Sequence, residues 1–344
     1  MSTAENLSTR TDAVISDSAT AVAYPNMALV KYWGKRDEAL ILPVNSSLSM
    51  TLNIFPTTTR VTVIPRSHRD AIILNGREAD HVTRQRIVRF LDLVRRLADR
   101  HERVAVDTTN TVPTGAGLAS SASGFAALAA AASTAFGLRL DQRALSRLAR
   151  RGSGSACRSI FGGFVIWHGG KGFGPRADEG CFAEPIAAER DWALVIALVD
   201  SEPKKISSRA AMRHTLTTSP LYLPWAAAAT ADLAHMRVAI EQDDLVAAGR
   251  IAEHNALGMH AALLAARPAI RYLSPRSLQV LDRVEQVRAA GTPAYATIDA
   301  GANVAVLCAR TDVPRVAAAL QELPDVFTHV ALPGPAAAIR RSDS

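Results

Sequence analysis

Aromatic residues make up only 5% of this 344-residue chain, and cysteines number three, Cys157, Cys181 and Cys308. With hydrophobic residues at 48%, so small an aromatic share predicts a core built from Ala, Leu and Val. An odd number of cysteines, with no CxxC spacing and no histidine pair at ligand spacing, points to neither a disulfide framework nor a zinc site. Such cysteine usage suits a reducing cytoplasm. No uninterrupted apolar stretch reaches the roughly eighteen residues a spanning helix needs, so no membrane partner is expected. The chain also lacks any run of five or six basic residues and any basic stripe interleaved with aromatics, which argues against nucleic acid. Residues 1–19 are rich in Ser, Thr and Asp with no apolar h-region, and they read as a frayed tail rather than a secretory signal.

Charge is present in modest excess of one sign. Lys and Arg number 39 against 32 Asp and Glu, for a net charge of +7. A basic balance suits nucleic acid, an acidic membrane surface or phosphorylated small molecules, or is a plain solubility bias. Several arginines fall in 88–103, but Leu91, Leu93, Val94 and Leu97 lie between them at helical spacing. That is an amphipathic surface helix. Placement therefore favours a small, phosphorylated partner.

The length suits two packed domains. Residues 59–65 alternate as a strand should, 71–74 give a second strand, and Asn75-Gly76 is a turn signal. A helix is predicted over 79–101, a strand over 104–108, an Ala-rich helix from 117 to 136, and a helix capped by Asp141 and ending near 150. Residues 160–168 read as a strand. The stretch 169–190 is rich in Gly, Pro and charge, and a domain boundary is expected near its end. Beyond it come a strongly apolar strand over 192–200, helices over 225–241, 243–266 and 275–290, strands over 294–299 and 304–309, a helix over 313–323 and a strand over 328–332. That order is a split βαβ arrangement, an antiparallel sheet backed by helices.

Five short motifs carry chemistry. Pro113 to Ala122, with Gly115 and Gly117 ahead of Ser120 and Ser121, joins a strand to the Ala-rich helix; its glycines and helix start would admit a phosphate, or form a plain glycine turn with a serine cap. It is not a Walker A loop. Lys31-Tyr-Trp-Gly-Lys-Arg36 puts three cations and two aromatics in one stretch, fit for a polyanion or for a solvated surface strand. Gly152 to Ser159 offers small residues, Ser153, Ser155 and the guanidinium of Arg158, which suits bidentate hold on a carboxylate or phosphate, or is a Ser/Gly linker. Cys157 there reads as a small packing residue. Lys204 to Arg209 follows a strand end and reads as an anion grip or a charged loop. Asp299-Ala-Gly-Ala-Asn303 lies between two strands, where Asp, Gly and Asn also serve as turn residues.

Taken together and in order, these motifs resemble the galactokinase, homoserine kinase, mevalonate kinase and phosphomevalonate kinase (GHMP kinase) superfamily, and within it the diphosphomevalonate decarboxylase family. The loop at 113–122 resembles the superfamily's phosphate-binding motif. Lys31 to Asp37, Gly152 to Ser159 and Asp299 to Gly301 are more specific to the decarboxylases. The likeness runs from about residue 21 to 333. Ala302 stands where the family usually has Pro, Ala211 where it usually has Gly, and Arg209 where many eukaryotic members have Thr.

The resemblance implies an α+β, two-domain GHMP-kinase-like fold: a ribosomal-protein-S5-like α/β domain over 20–190 and a ferredoxin-like split βαβ domain with extra helices over 191–344. The active site would lie in the cleft between them. It implies ATP as co-substrate with Mg2+, diphosphomevalonate as substrate, a homodimer and a cytoplasmic enzyme. By resemblance Asp299 orients the tertiary hydroxyl or accepts its proton, Arg158 holds the substrate carboxylate, Asn26 fixes that arginine, and Ser208 lies near the transferring group. Lys31, Tyr32, Lys35, Ser153, Ser155, Ser208 and Arg209 would bind substrate, chiefly its diphosphate. Pro113, Gly115, Gly117, Leu118, Ala119, Ser120 and Ser121 would cradle ATP, with Ser121 on the metal and Lys204, or its neighbour Lys205, on phosphate. A superfamily kinase that stops before decarboxylation, a decarboxylase that takes a monophosphate, and a catalytically silent, nucleotide-responsive protein are the alternatives.

Overall fold

The computed structural model describes residues 17–112, 120–200 and 206–340. Three sheets of four or more strands organise the chain. The first has six strands in the order Ala338–Arg340, Ser18–Ala23, Thr57–Ile64, Arg103–Asn110, Ala71–Leu74 and Arg77–Glu78. All its pairings are antiparallel except Ala71–Leu74 with Arg103–Asn110. In Thr57–Ile64 the alternation seen in sequence becomes an inside and an outside, with Val61 and Val63 buried and Arg60 exposed. Asn75 and Gly76 both take positive φ at the hairpin tip, as their residue types allow.

Helices His81–Ala98, Ser120–Ala135 and Gln142–Gly152 pack beside this sheet. Ser120–Ala135 is apolar nearly all round, so it is buried at the domain's centre, where its alanines admit close approach of strand and helix. Asp80 caps the first helix by accepting from the N–H groups of Val82 and Thr83, and Asp141 caps the third through Ala144.

A second sheet, in the order Ala183–Pro185, Phe164–Trp167, Ser47–Thr51 and Asn26–Val30, sits at the middle of the molecule. The third runs Ala294–Thr297, Val304–Ala309, Trp192–Leu198 and Phe327–Ala331, antiparallel throughout, which is the strand order of a ferredoxin-like split βαβ unit. Pro275–Ala289 and Val313–Gln321 cover one face of it. Helices Tyr222–Glu241 and Leu245–Leu264 fill the space between it and the second sheet, where Met27, Leu29 and Met50 join Leu194, Met236 and Leu307 in one core. Trp192–Leu198 is apolar throughout because both its faces are covered.

Four expectations are corrected. Residues 1–16 lie outside the described residues, but the strand Ser18–Ala23 already begins within the stretch expected to fray, tied by Ser18 Oγ to Thr62 Oγ1 at 3.0 Å. Strand 160–168 shrinks to Phe164–Trp167, because the small residues before it wind into a 3-10 helix, Gly154–Ile160. Residues 207–209, read as loop, open a helix, Ser208–Thr218, capped by Ser207 Oγ on the N–H of Ala210. The region 191–344 does not stay together: Ala338–Arg340 returns to the first sheet and pairs with Ser18–Ala23, whose outer edge would otherwise be unpaired.

Candidate active site

One cleft of about 750 Å3 collects residues from both halves of the chain. The strand Asn26–Val30 supplies Asn26 and leads into Lys31, Tyr32 and Lys35. The 3-10 helix supplies Ser155 and Arg158, with Ser153 just before it. The start of the Ala-rich helix gives Ser120 and Ser121, the start of the helix Ser208–Thr218 gives Ser208 and Arg209, and the turn after Ala294–Thr297 gives Asp299. Expected residues up to 273 positions apart in the sequence thus line a single space. Pro113, Gly115, Gly117, Leu118, Ala119 and Lys204 lie outside the described residues.

Asp299 and Lys31 form an ion pair at the cleft's inner end, Nζ to Oδ1 at 2.6 Å. The ammonium also donates to the Ala28 carbonyl at 2.7 Å. Lys31 is 1% exposed, and burial depresses its pKa while Asp299 pulls it back up. Two of the three donors of Lys31, which is expected at the substrate's diphosphate, go to Asp299 and Ala28.

Arg158 is 3% exposed. Its Nε donates to Ser49 Oγ at 2.8 Å and Asn26 Oδ1 at 3.2 Å, Nη2 to Asn26 Oδ1 at 3.0 Å and Nη1 to Ser47 Oγ at 2.5 Å. Asn26 is itself oriented by donating to Ser159 Oγ and the Ser155 carbonyl. Burial lowers the arginine's pKa, and no carboxylate among the described residues hydrogen-bonds it. A guanidinium desolvated at a cost of several kcal/mol and met only by neutral oxygens is poised for an anion. These bonds leave one N–H on each terminal nitrogen for that partner.

Ser120, Ser121, Ser153, Ser155 and Ser208 all line this cleft. Ser121 Oγ lies 3.2 Å from Ser153 Oγ. Lys35 pairs with Glu38 at 2.6 Å and is held below its usual pKa by burial. Tyr32 packs edge-on against Trp167 at 4.6 Å, and its buried hydroxyl has no hydrogen-bond partner among the described residues. Cys157 is fully buried with its thiol pKa pushed up by desolvation, in keeping with a packing role.

Three contributors were missed in the sequence. Ser47 and Ser49 hold Arg158 from the neighbouring strand. Arg86 lines the cleft from the helix His81–Ala98, donating through Nε and Nη2 to the Gly152 carbonyl and lying 4.4 Å from the Phe125 ring centre. Burial first, and Arg209 second, bring its pKa down to about 10. The signal was available: Arg86 falls on the same helical stripe as Thr83, Phe90 and Val94, where an apolar residue belongs.

For a metal, no group of three or more His, Cys, Asp or Glu residues is gathered among the described residues. The hydroxyls of Ser121 and Ser153 are hard oxygen donors, which fits Mg2+ completed by phosphate oxygens and water.

Comparison with known proteins agrees with this geometry. Residues 23–183 match the diphosphomevalonate decarboxylase-like N-terminal domain, and 194–331 match the mevalonate 5-diphosphate decarboxylase C-terminal domain. The diphosphomevalonate decarboxylase of Bos taurus is 38% identical over 88% of this chain and 79% of its own. Mevalonate diphosphate decarboxylase from Staphylococcus aureus superposes with a TM-score of 0.89 at 38% identity, covering 94% of this chain and 98% of that one. A structure of MDDEF in complex with MVAPP, AMPPCP and magnesium gives a TM-score of 0.88 at 44% identity, covering 94% and 99%. With both domains matched in order and more than two thirds of those relatives spanned, the chain belongs to the diphosphomevalonate decarboxylase family.

Proposed function

We propose that this protein converts diphosphomevalonate and ATP to isopentenyl diphosphate, ADP, phosphate and carbon dioxide. The observation that carries the reading is the buried Arg158, without a carboxylate partner among the described residues, facing the same cleft as the Lys31–Asp299 pair. One group is built to take a carboxylate, the other to take a proton.

Asp299 orients the substrate's tertiary hydroxyl and accepts its proton as the γ-phosphoryl group of ATP is transferred. Lys31 keeps that carboxylate in place and offers its remaining N–H toward the cleft. Arg158 holds the substrate carboxylate in line with the bond that will break. Phosphate then leaves with the C–O bonding pair, the C–C bond to the carboxylate breaks, and its electrons form the alkene as carbon dioxide departs. The departing phosphate takes the proton from Asp299, and the carboxylate so freed stabilises the carbon that turns electron-poor as the phosphate leaves.

The phosphates of both substrates face Ser120, Ser121, Ser153, Ser155 and the start of the helix Ser208–Thr218, whose unpaired N–H groups favour anions. Arg86 and Arg209 add charge there. Ser121 would help to hold Mg2+, which would supply charge neutralisation there. Leu74, Val82, Asn75 and Asn110 at the cleft's outer end suit the nucleoside of ATP. Three buried free cysteines support a cytoplasmic setting, and family likeness supports a homodimer. No helix among the described residues is long and apolar enough to cross a membrane.

The test is direct. Purified protein with ATP, Mg2+ and diphosphomevalonate should release carbon dioxide and ADP in equal amounts. ADP without carbon dioxide would turn the reading to a kinase, and no turnover on any mevalonate derivative would overturn it.

A further inference from the structure

Lys31 stands just beyond a strand that ends irregularly: the register of Asn26–Val30 against Ser47–Thr51 shifts between Ala28 and Val30. Its side chain curls back to the Ala28 carbonyl on the way to Asp299. Both peptide groups of Lys31 are gripped by side-chain amides. Its C=O accepts from Asn45 Nδ2 at 2.8 Å, and its N–H donates to Asn255 Oδ1 at 2.7 Å. Asn255 belongs to the helix Leu245–Leu264, is 1% exposed and does not line the cleft. Its Nδ2 donates to Asp232 Oδ2 at 2.8 Å on the adjoining helix Tyr222–Glu241, while its backbone carbonyl accepts from Trp225 Nε1 at 3.1 Å.

The carboxylate decides which way the amide points. Asp232 can only accept, so the NH2 group of Asn255 must face it and the oxygen must face the N–H of Lys31. We propose that Asn255, oriented by Asp232, is a positioning residue that fixes the backbone of Lys31 so that its ammonium meets Asp299 in the geometry proton transfer requires. The inference rests on the reading of Lys31 and Asp299 as the reacting pair. Satisfying a buried N–H is the simpler role for Asn255, and that role would lower stability while leaving turnover of the folded enzyme intact.

A double-mutant cycle on the full chain separates the two, with kcat and KM measured by carbon dioxide release for wild type, Asn255→Ser, Lys31→Met and the double variant. Asn255→Ser should lower kcat roughly a hundredfold, since small misplacement of a reacting group is that costly, with both KM values held within about threefold. In the Lys31→Met background the same change should cost almost nothing further. Asp232→Asn, which keeps an acceptor for Nδ2 without the charge, should lose less than about tenfold. If Asn255→Ser does not fold, Asp232→Ala takes its place in the cycle. An equal fold-loss in both backgrounds, or an unchanged kcat, overturns the proposal. An unchanged kcat for Lys31→Met alone refutes instead the reading of the ion pair on which it rests.

Discussion

Lys31 and Asp299 stand 268 positions apart in the chain and 2.6 Å apart in space, with the lysine buried and the aspartate a quarter exposed toward the cleft. The asymmetry has chemical meaning. The buried partner holds still and the open one meets substrate. Because the two residues follow strands of different sheets, their contact is also a measure of how the two halves of the molecule are seated.

Replacing Asp299 by Asn keeps the size and most hydrogen bonds of the side chain and removes its charge and basicity. We expect kcat to fall by two or more orders of magnitude, with KM for ATP and for diphosphomevalonate changed only about threefold. Steady-state carbon dioxide release measures this; turnover preserved within a few-fold would remove Asp299 as the base.

The depressed pKa of Lys31 gives a pH signature. Burial lowers it, so the ammonium is lost at a lower pH than an ordinary lysine's, about 10.4. Activity that needs the Lys31 cation should fall on an alkaline limb lying below that value. In Lys31→Arg, where the cation persists, any remaining activity should lack the limb. A kcat–pH profile run to alkaline pH reads both.

His260 lies behind the pair, 3% exposed, with its Nε2 lacking a hydrogen-bond partner among the described residues. Burial first, then the Lys31 charge, lowers its pKa from 6.5 to about 4. Between those values the unfolded chain takes up a proton that the folded protein refuses. Stability should therefore rise with pH across that window, by about 3 kcal/mol from this group. Denaturant midpoints at several pH values, for wild type and His260→Met, should show that slope flattened in the variant.

Gly34 sits at φ +90°, where a side chain is strained, and a Cβ there would come within 1.9 Å of the Tyr222 hydroxyl. That hydroxyl donates to the Trp33 carbonyl at 2.7 Å, so it has little freedom to yield. Gly34→Ala should cost ~2 kcal/mol or more in stability and disturb the neighbouring Lys31 and Lys35. Chemical denaturation gives the first effect, and a raised KM the second.

What could be seen in the sequence followed from periodicity. Val313–Gln321 and Val304–Ala309 stand out because each has one covered face or a continuous apolar run. Ser47–Thr51 did not, although Ser-Leu-Ser-Met-Thr alternates, because its polar face turns inward to Arg158 rather than to water. Asn26–Val30 is buried at every position and so has no inside or outside to read. Asp299 was recognisable only through its neighbours in the family motif, since Asp, Ala and Gly between two strands satisfy a turn equally well. Arg86 and Asn255 escaped notice because each sits in a helix whose spacing assigns it to packing. Partnerships across the fold, such as Asn255 with Lys31, leave no local pattern.

The return of Ala338–Arg340 to the edge of the first sheet means that the polypeptide crosses between the two halves twice, once after Ala183–Pro185 and again after Phe327–Ala331. A single crossing would act as a swivel. Two fix the halves to each other at a pair of points, so the placing of Arg158 relative to Asp299 is constrained by both connections.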